Sequence, residues 1–187
     1  MTESASQTAG PYVHIGLTPN VAGVTGVFPA DLGATMRRDG HRGRAITFSG
    51  RILDGAGDPL RDALVEIWQP DADGLFAGQD GADPNFAGWG RCACDPTDGT
   101  FRFETVLPGT QGDTAPHILV WIVARGINIG LQTRAYFKGE AGNDTDPILS
   151  AAPPDRRATL LARPEGPNGW RFDIVLQGEA ETVFFDM

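Results

Sequence analysis

The stretch Gly55-Ala-Gly-Asp-Pro-Leu-Arg-Asp-Ala-Leu-Val-Glu-Ile-Trp-Gln-Pro-Asp-Ala-Asp-Gly74 decides how the chain is read. It begins in a turn, Asp54 to Pro59, where Gly, Asp and Pro each favour a reversal for a different backbone reason. It then runs through Leu60 to Trp68 before a second turn at Pro70 to Gly74. Within the run Leu64, Glu66 and Trp68 share one face and Val65 and Ile67 the other, the period-two spacing of a strand.

The same pattern extends in both directions. Upstream, Ala45 to Leu53 alternates as a strand. Downstream, Gly90 to Cys94 and Thr100 to Val106 flank Asp95-Pro-Thr-Asp-Gly99, a hairpin signal. His117 to Arg125 is the most apolar segment, and Leu131 to Phe137 can pair with it across Gly126 to Gly130. Trp170 to Gln177 and Glu181 to Phe185 are expected to close the chain as strands. Pro153 to Ala162 places proline ahead of good helix formers and predicts one short helix. The expected fold is all-β: a two-sheet β-sandwich over residues 44–187, preceded by an extended N-terminal arm over residues 1–43. The arm shows little periodicity and many turn formers, so it must pack on another surface to be ordered.

Composition narrows the function. The chain has 187 residues, enough for one domain with a full core. Its net charge of −9 argues against nucleic acid or an anionic membrane as partner. Met1 to Gln7 lacks a basic segment followed by an apolar run, and no stretch of about 18 apolar residues occurs, which together point to a cytoplasmic protein. Cys92 and Cys94 fall on the same face of a strand, where a disulfide between them would be strained. Buried thiols are the expectation.

The quoted stretch, Asp83-Pro-Asn-Phe-Ala-Gly-Trp-Gly-Arg-Cys92, Asp98 to Gly109 and Ala115-Pro-His-Ile-Leu119 together resemble the intradiol ring-cleavage dioxygenases, in order and over roughly Ser6 to Phe185. That family opens catechols between their hydroxyls with a ferric ion held by two tyrosines and two histidines. Where those members carry ligands, this chain has Phe76, Gln111 (in a short loop after Pro108-Gly109) and Leu119, and only His117 remains. A phenylalanine ring has no oxygen and a leucine no lone pair, and a single imidazole does not select a metal. The resemblance therefore implies a chain without metal, with Fe(III) bound by a partner beta subunit, in the two-chain branch that cleaves protocatechuate (3,4-dihydroxybenzoate).

By the same resemblance Thr8, Gly10 and Tyr12 of the arm border the substrate pocket and Arg125 binds the substrate carboxylate. The strand period places Arg125 on one face with His117, Leu119, Trp121 and Val123. On that pattern alone it could equally be a solvated strand end with a surface carboxylate. Arg134 faces the same choice, and Thr8, Gly10, Tyr12 and His14 could serve packing or turns. Two other readings stay open: an independent dioxygenase recruiting metal through His14, His41, His117 and carboxylates, or an inert β-sandwich binding module.

Overall fold

The computed structural model describes residues 8–186. Residues 1–7 of the expected arm, with Ser6 and Gln7 of the matching stretch, lie outside them, as does Met187. Among the described residues nine strands form: β1 Ala45–Leu53, β2 Leu64–Trp68, β3 Trp89–Ala93, β4 Thr100–Val106, β5 His117–Val123, β6 Leu131–Phe137, β7 Leu161–Glu165, β8 Gly169–Arg171 and β9 Ile174–Val175. They hydrogen-bond in the order β3-β2-β5-β6-β7-β8-β1-β4, with β9 beside β1.

β7 joins two halves. It pairs parallel with β6 and then antiparallel with β8. On one side lie β3, β2, β5 and β6, and on the other β8, β1 and β4. Ile46, Phe48 and Ile52 of β1 alternate inward and meet Phe101 and Phe103 of β4. Val65, Ile67, Ile118, Val120 and Ile122 from the other half complete the same cluster. Two apolar faces closed on each other make the expected sandwich.

The signature stretch is built for close approach. Asp71, buried, takes backbone N–H bonds from Asp73 (2.9 Å), Leu75 (3.0 Å) and Asp83 (2.8 Å). Gln69 donates to the Val106 carbonyl at 3.0 Å and accepts from the Thr105 hydroxyl at 2.7 Å. A Cβ at Gly74, whose φ is +83°, would sit 2.0 Å from the Thr110 oxygen, so glycine is required where this loop meets the loop after β4.

Several boundaries differ from expectation. β2 begins at Leu64 because Leu60 is spent on a turn bond to Ile52. β5 ends at Val123, since the Ala124 carbonyl turns to receive the Ile127 N–H. The helix expected over 153–162 does not form. Arg157–Leu160 is one 3-10 turn, and Leu160 and Ala162 are both buried at period two as the chain enters β7. Pairing with β6 outweighs helix propensity there.

Short helices stand elsewhere. α1 (Pro11–Leu17) lies inside the arm, and α2 (Pro147–Ala151) is capped by Asp146, whose carboxyl accepts from the Ile148 and Leu149 amides. The segment expected as strand Trp170 to Gln177 breaks into β8 and β9. Glu181 to Phe185 is extended but carries no ladder. It is tied by Thr182 N–H to Val175 and Phe185 N–H to Gln132, each at 2.8 Å.

Cys92 and Cys94 both pack into the main core, and burial pushes each thiol up to about 12. Since the thiolate is the reactive form, iodoacetamide at pH 8 should leave both unmodified in the native protein and label both after denaturation. Native-state labelling of either, read by mass spectrometry, would contradict this packing.

Candidate functional site

The outward face of the β3-β2-β5-β6 sheet carries the positions at which metal ligands are expected. Register sets Trp68 of β2 against Leu119 of β5, and Leu119 against Arg134 of β6. Phe76 stacks on Trp68 with ring centroids 5.9 Å apart and planes 13° off parallel. Glu66 accepts from Arg91 at 2.6–2.7 Å on the same face. Gln111 lies in an exposed loop bridged to Thr114.

His117 is buried beside Tyr136, and its two nitrogens are engaged. Nδ1 lies 2.8 Å from the Ala115 carbonyl, so it carries the proton and donates. Nε2 lies 3.4 Å from an Arg134 nitrogen and accepts. Burial holds the imidazole below its usual basicity, and the Arg134 charge adds to this, against an opposing bond from Ala115 and the charge of Asp146. This neutral ring is a bonded core residue. Its free lone pair points at a guanidinium, and the rings at 76 and 68 offer no donor atom. The residues on this face do not fit a ferric centre, which needs anionic oxygen and imidazole ligands. Among the described residues no group of three or more His, Cys, Asp or Glu could hold a metal ion.

The lowered value for His117 has a sign. The unfolded imidazole takes a proton near pH 6.5 whereas the folded one resists it, so the unfolded chain binds more protons below that pH. Stability is therefore full above about pH 6.5 and lost as pH falls toward the folded value. Denaturant midpoints between pH 8 and pH 5 should fall less steeply for His117→Gln than for the native chain. Equal slopes would contradict the assignment.

At the far end of β5 the arm returns to the sheet. The Thr8 hydroxyl donates to the Ala124 carbonyl at 3.2 Å and accepts the Gly126 N–H at 2.7 Å. This clamp brings Ala9, Gly10, Pro11 and His14 over Asp62 and Arg125, leaving a cleft of about 270 Å³. Arg125 is 76% exposed, and its Nε donates to Asp62 Oδ2 at 2.8 Å. That contact uses one corner of the guanidinium and leaves both terminal nitrogens without a partner among the described residues. Thus Gly10 and Arg125 line one cleft, Thr8 braces it, and Tyr12, 84% exposed on α1, lies outside its lining. Arg134 lies away from this cleft, opposite Leu119 on the outward face and beside His117.

Asp62 was not legible as part of this cleft, because its partner is 63 positions away and nothing local marks the pair. His14, which the sequence offers only as a packing residue or as a ligand of a recruited metal, lines the cleft as well.

Residues 26–178 match the family described as "Dioxygenase". Over its full length the chain is 40% identical to a protocatechuate 3,4-dioxygenase alpha chain from Pseudomonas putida, covering 97% of that protein. The chain belongs to the protocatechuate 3,4-dioxygenase alpha-chain family. It is an intradiol dioxygenase subunit. A beta chain of the same enzyme from Burkholderia cepacia is 36% identical over 75% of this chain and 67% of its own length. This chain is therefore related to both the alpha and the beta chains of that enzyme. Among solved structures, the dioxygenase domain of a carbohydrate-binding fusion from Streptomyces sp. SirexAA-E superposes with a TM-score of 0.61 at 29% identity, covering 80% of this chain and 88% of that one.

Proposed function

We propose that this chain is the metal-free half of a protocatechuate 3,4-dioxygenase, and that a beta chain supplies Fe(III) and the chemistry of ring opening. The pair would cleave 3,4-dihydroxybenzoate between its hydroxyls with dioxygen to give 3-carboxy-cis,cis-muconate. Within it, this chain orients and encloses the substrate. Positioning a reactant against a reactive centre contributes many powers of ten in rate.

The fate of the one retained imidazole carries the reading. His117 spends Nδ1 on a carbonyl and turns Nε2 to a cation, so the face that could have held iron is filled with side chains that cannot. The cleft beside Arg125 supplies the complementary role, since a guanidinium with two free N–H corners matches a carboxylate through paired bonds. The arm supplies the partner surface. Tyr12, Val21, Val27 and Leu32 are 84%, 59%, 55% and 50% exposed, an apolar run that a monomer rarely leaves to water.

Co-expression with a beta chain bearing the Tyr/Tyr/His/His ligand set, followed by metal analysis and a ring-cleavage assay, tests the reading. The expected result is iron bound in proportion to the beta chain, and activity on 3,4-dihydroxybenzoate only when both chains are present. Iron bound by this chain expressed alone, or no gain of activity in the mixture, would reject it. The second outcome would favour an inert binding module.

A further inference from the structure

Away from the arm and the degenerate face, the seam between the two halves carries an unusual row of charge. Arg163 of β7 is the direct cross-strand partner of Arg171 of β8. On its other side β7 runs parallel to β6, where Phe137 is abreast of Ala162 and the Lys138 N–H bonds the Ala162 carbonyl at 3.0 Å. Lys138 follows at once, in the turn just past the end of β6. Two cations on neighbouring strands and a third just past the end of β6 thus converge on this seam. Like charges set opposite one another on a sheet are destabilising.

Among the described residues only Arg171 of these three has acidic partners. Asp173 accepts from Arg171 Nε at 2.8 Å, and Glu165 lies 3.9 Å from another Arg171 nitrogen. Lys138 and Arg163 have no side-chain partner among the described residues, although acids outnumber Lys and Arg in the chain 24 to 15. Lys138 is also the chain's single lysine.

All three cations line one groove of about 410 Å³. Its floor is apolar, including Leu161, Phe172 and Val175, and Thr182 adds a hydroxyl. Asp173 is the one carboxylate among the lining residues. A volume of this size suits a small organic molecule, with an apolar floor for its body and fixed charges for its ends.

We infer that this groove binds a small polycarboxylate, with Lys138 and Arg163 gripping one carboxylate and Arg171 meeting a second across the apolar floor. The guanidinium of Arg163 can hold a carboxylate through two bonds, whereas the Lys138 ammonium acts as a point charge. A monocarboxylate reaches only one end, where a solvated ion pair by itself is too weak to hold it. Two sources share the required chemistry: a general metabolite such as citrate, or a ring-cleavage product, since opening a catechol between its hydroxyls creates two new carboxylates.

The test is isothermal titration of the assembled two-chain protein with citrate, with 3-carboxy-cis,cis-muconate and with benzoate, repeated on Lys138→Gln/Arg163→Gln. Citrate should bind in the native protein and weaken at least tenfold in the variant, while turnover of the normal substrate stays unchanged. Benzoate should show no loss between the two proteins. A product signal that falls in the variant and is stronger than that of citrate names the product as source, and the reverse order names a general metabolite. No citrate binding, equal citrate binding in both proteins, or a benzoate response that depends on Lys138 and Arg163 would overturn the inference.

Discussion

Replacing Arg125 with alanine should raise the Michaelis constant for 3,4-dihydroxybenzoate by roughly thirty-fold to a few thousand-fold and leave iron content unchanged. The range corresponds to about 2–5 kcal/mol, the usual cost of removing one partner of a charge pair that is desolvated in the complex. In the chain alone this residue is 76% exposed and held by Asp62, and that solvated pair is worth at most about 1 kcal/mol. A large effect thus requires that substrate and partner chain exclude water from the cleft.

The control is a catechol without a carboxylate, for which Arg125→Ala should change the constant little. Steady-state kinetics on both substrates reads the difference. An unaltered constant for the carboxylated substrate would sink the role, and equal losses on both would make Arg125 structural.

The second large effect is on stability. Asp146 is fully buried, and its carboxyl receives the Tyr136 hydroxyl at 3.0 Å and the amides of Ile148 at 2.9 Å, Leu149 at 2.7 Å and Ala115 at 2.8 Å. One side chain thereby caps α2, holds the residue pair ahead of His117 at the start of β5, and fixes a tyrosine of β6. Burial and the Asp146 charge raise the Tyr136 hydroxyl above its usual range, so it stays a donor.

Asp146→Ala strands these buried donors, at a cost of about 3–5 kcal/mol. Calorimetry should register a fall in Tm on the order of 10 °C. Asp146→Asn keeps one acceptor oxygen and should lose less. An alanine variant within about 1 kcal/mol of the native protein would show that water or movement satisfies those groups.

Strands with a clean apolar alternation were legible from residues alone. Ala45–Leu53, Thr100–Val106 and Leu131–Phe137 form as expected because one face of each is buried, and that burial leaves a period-two mark. The segment over 153–162 was misread because its helix formers compete with an open edge of β6, and the edge lies 25 positions upstream. The helix that forms just upstream, α2 at Pro147, has a local sign in Asp146-Pro147, a capping carboxyl ahead of a proline.

The site divided in the same way. Loss of ligand atoms at Phe76 and Leu119 could be read from chemistry once the resemblance was drawn. The Arg134 contact on His117 and the Asp62 contact on Arg125 could not, because both are pairings between strands or loops far apart in the chain.

The strand shared by the two halves also governs how the chain can be made. β1 emerges from the ribosome early, yet one of its neighbours, β8, lies more than a hundred residues behind it. Until translation reaches that segment, an apolar strand waits with one edge unsatisfied and the halves unsealed, a state prone to joining the wrong neighbour. Chains cut short before residue 161 should therefore be found with chaperones or in aggregates.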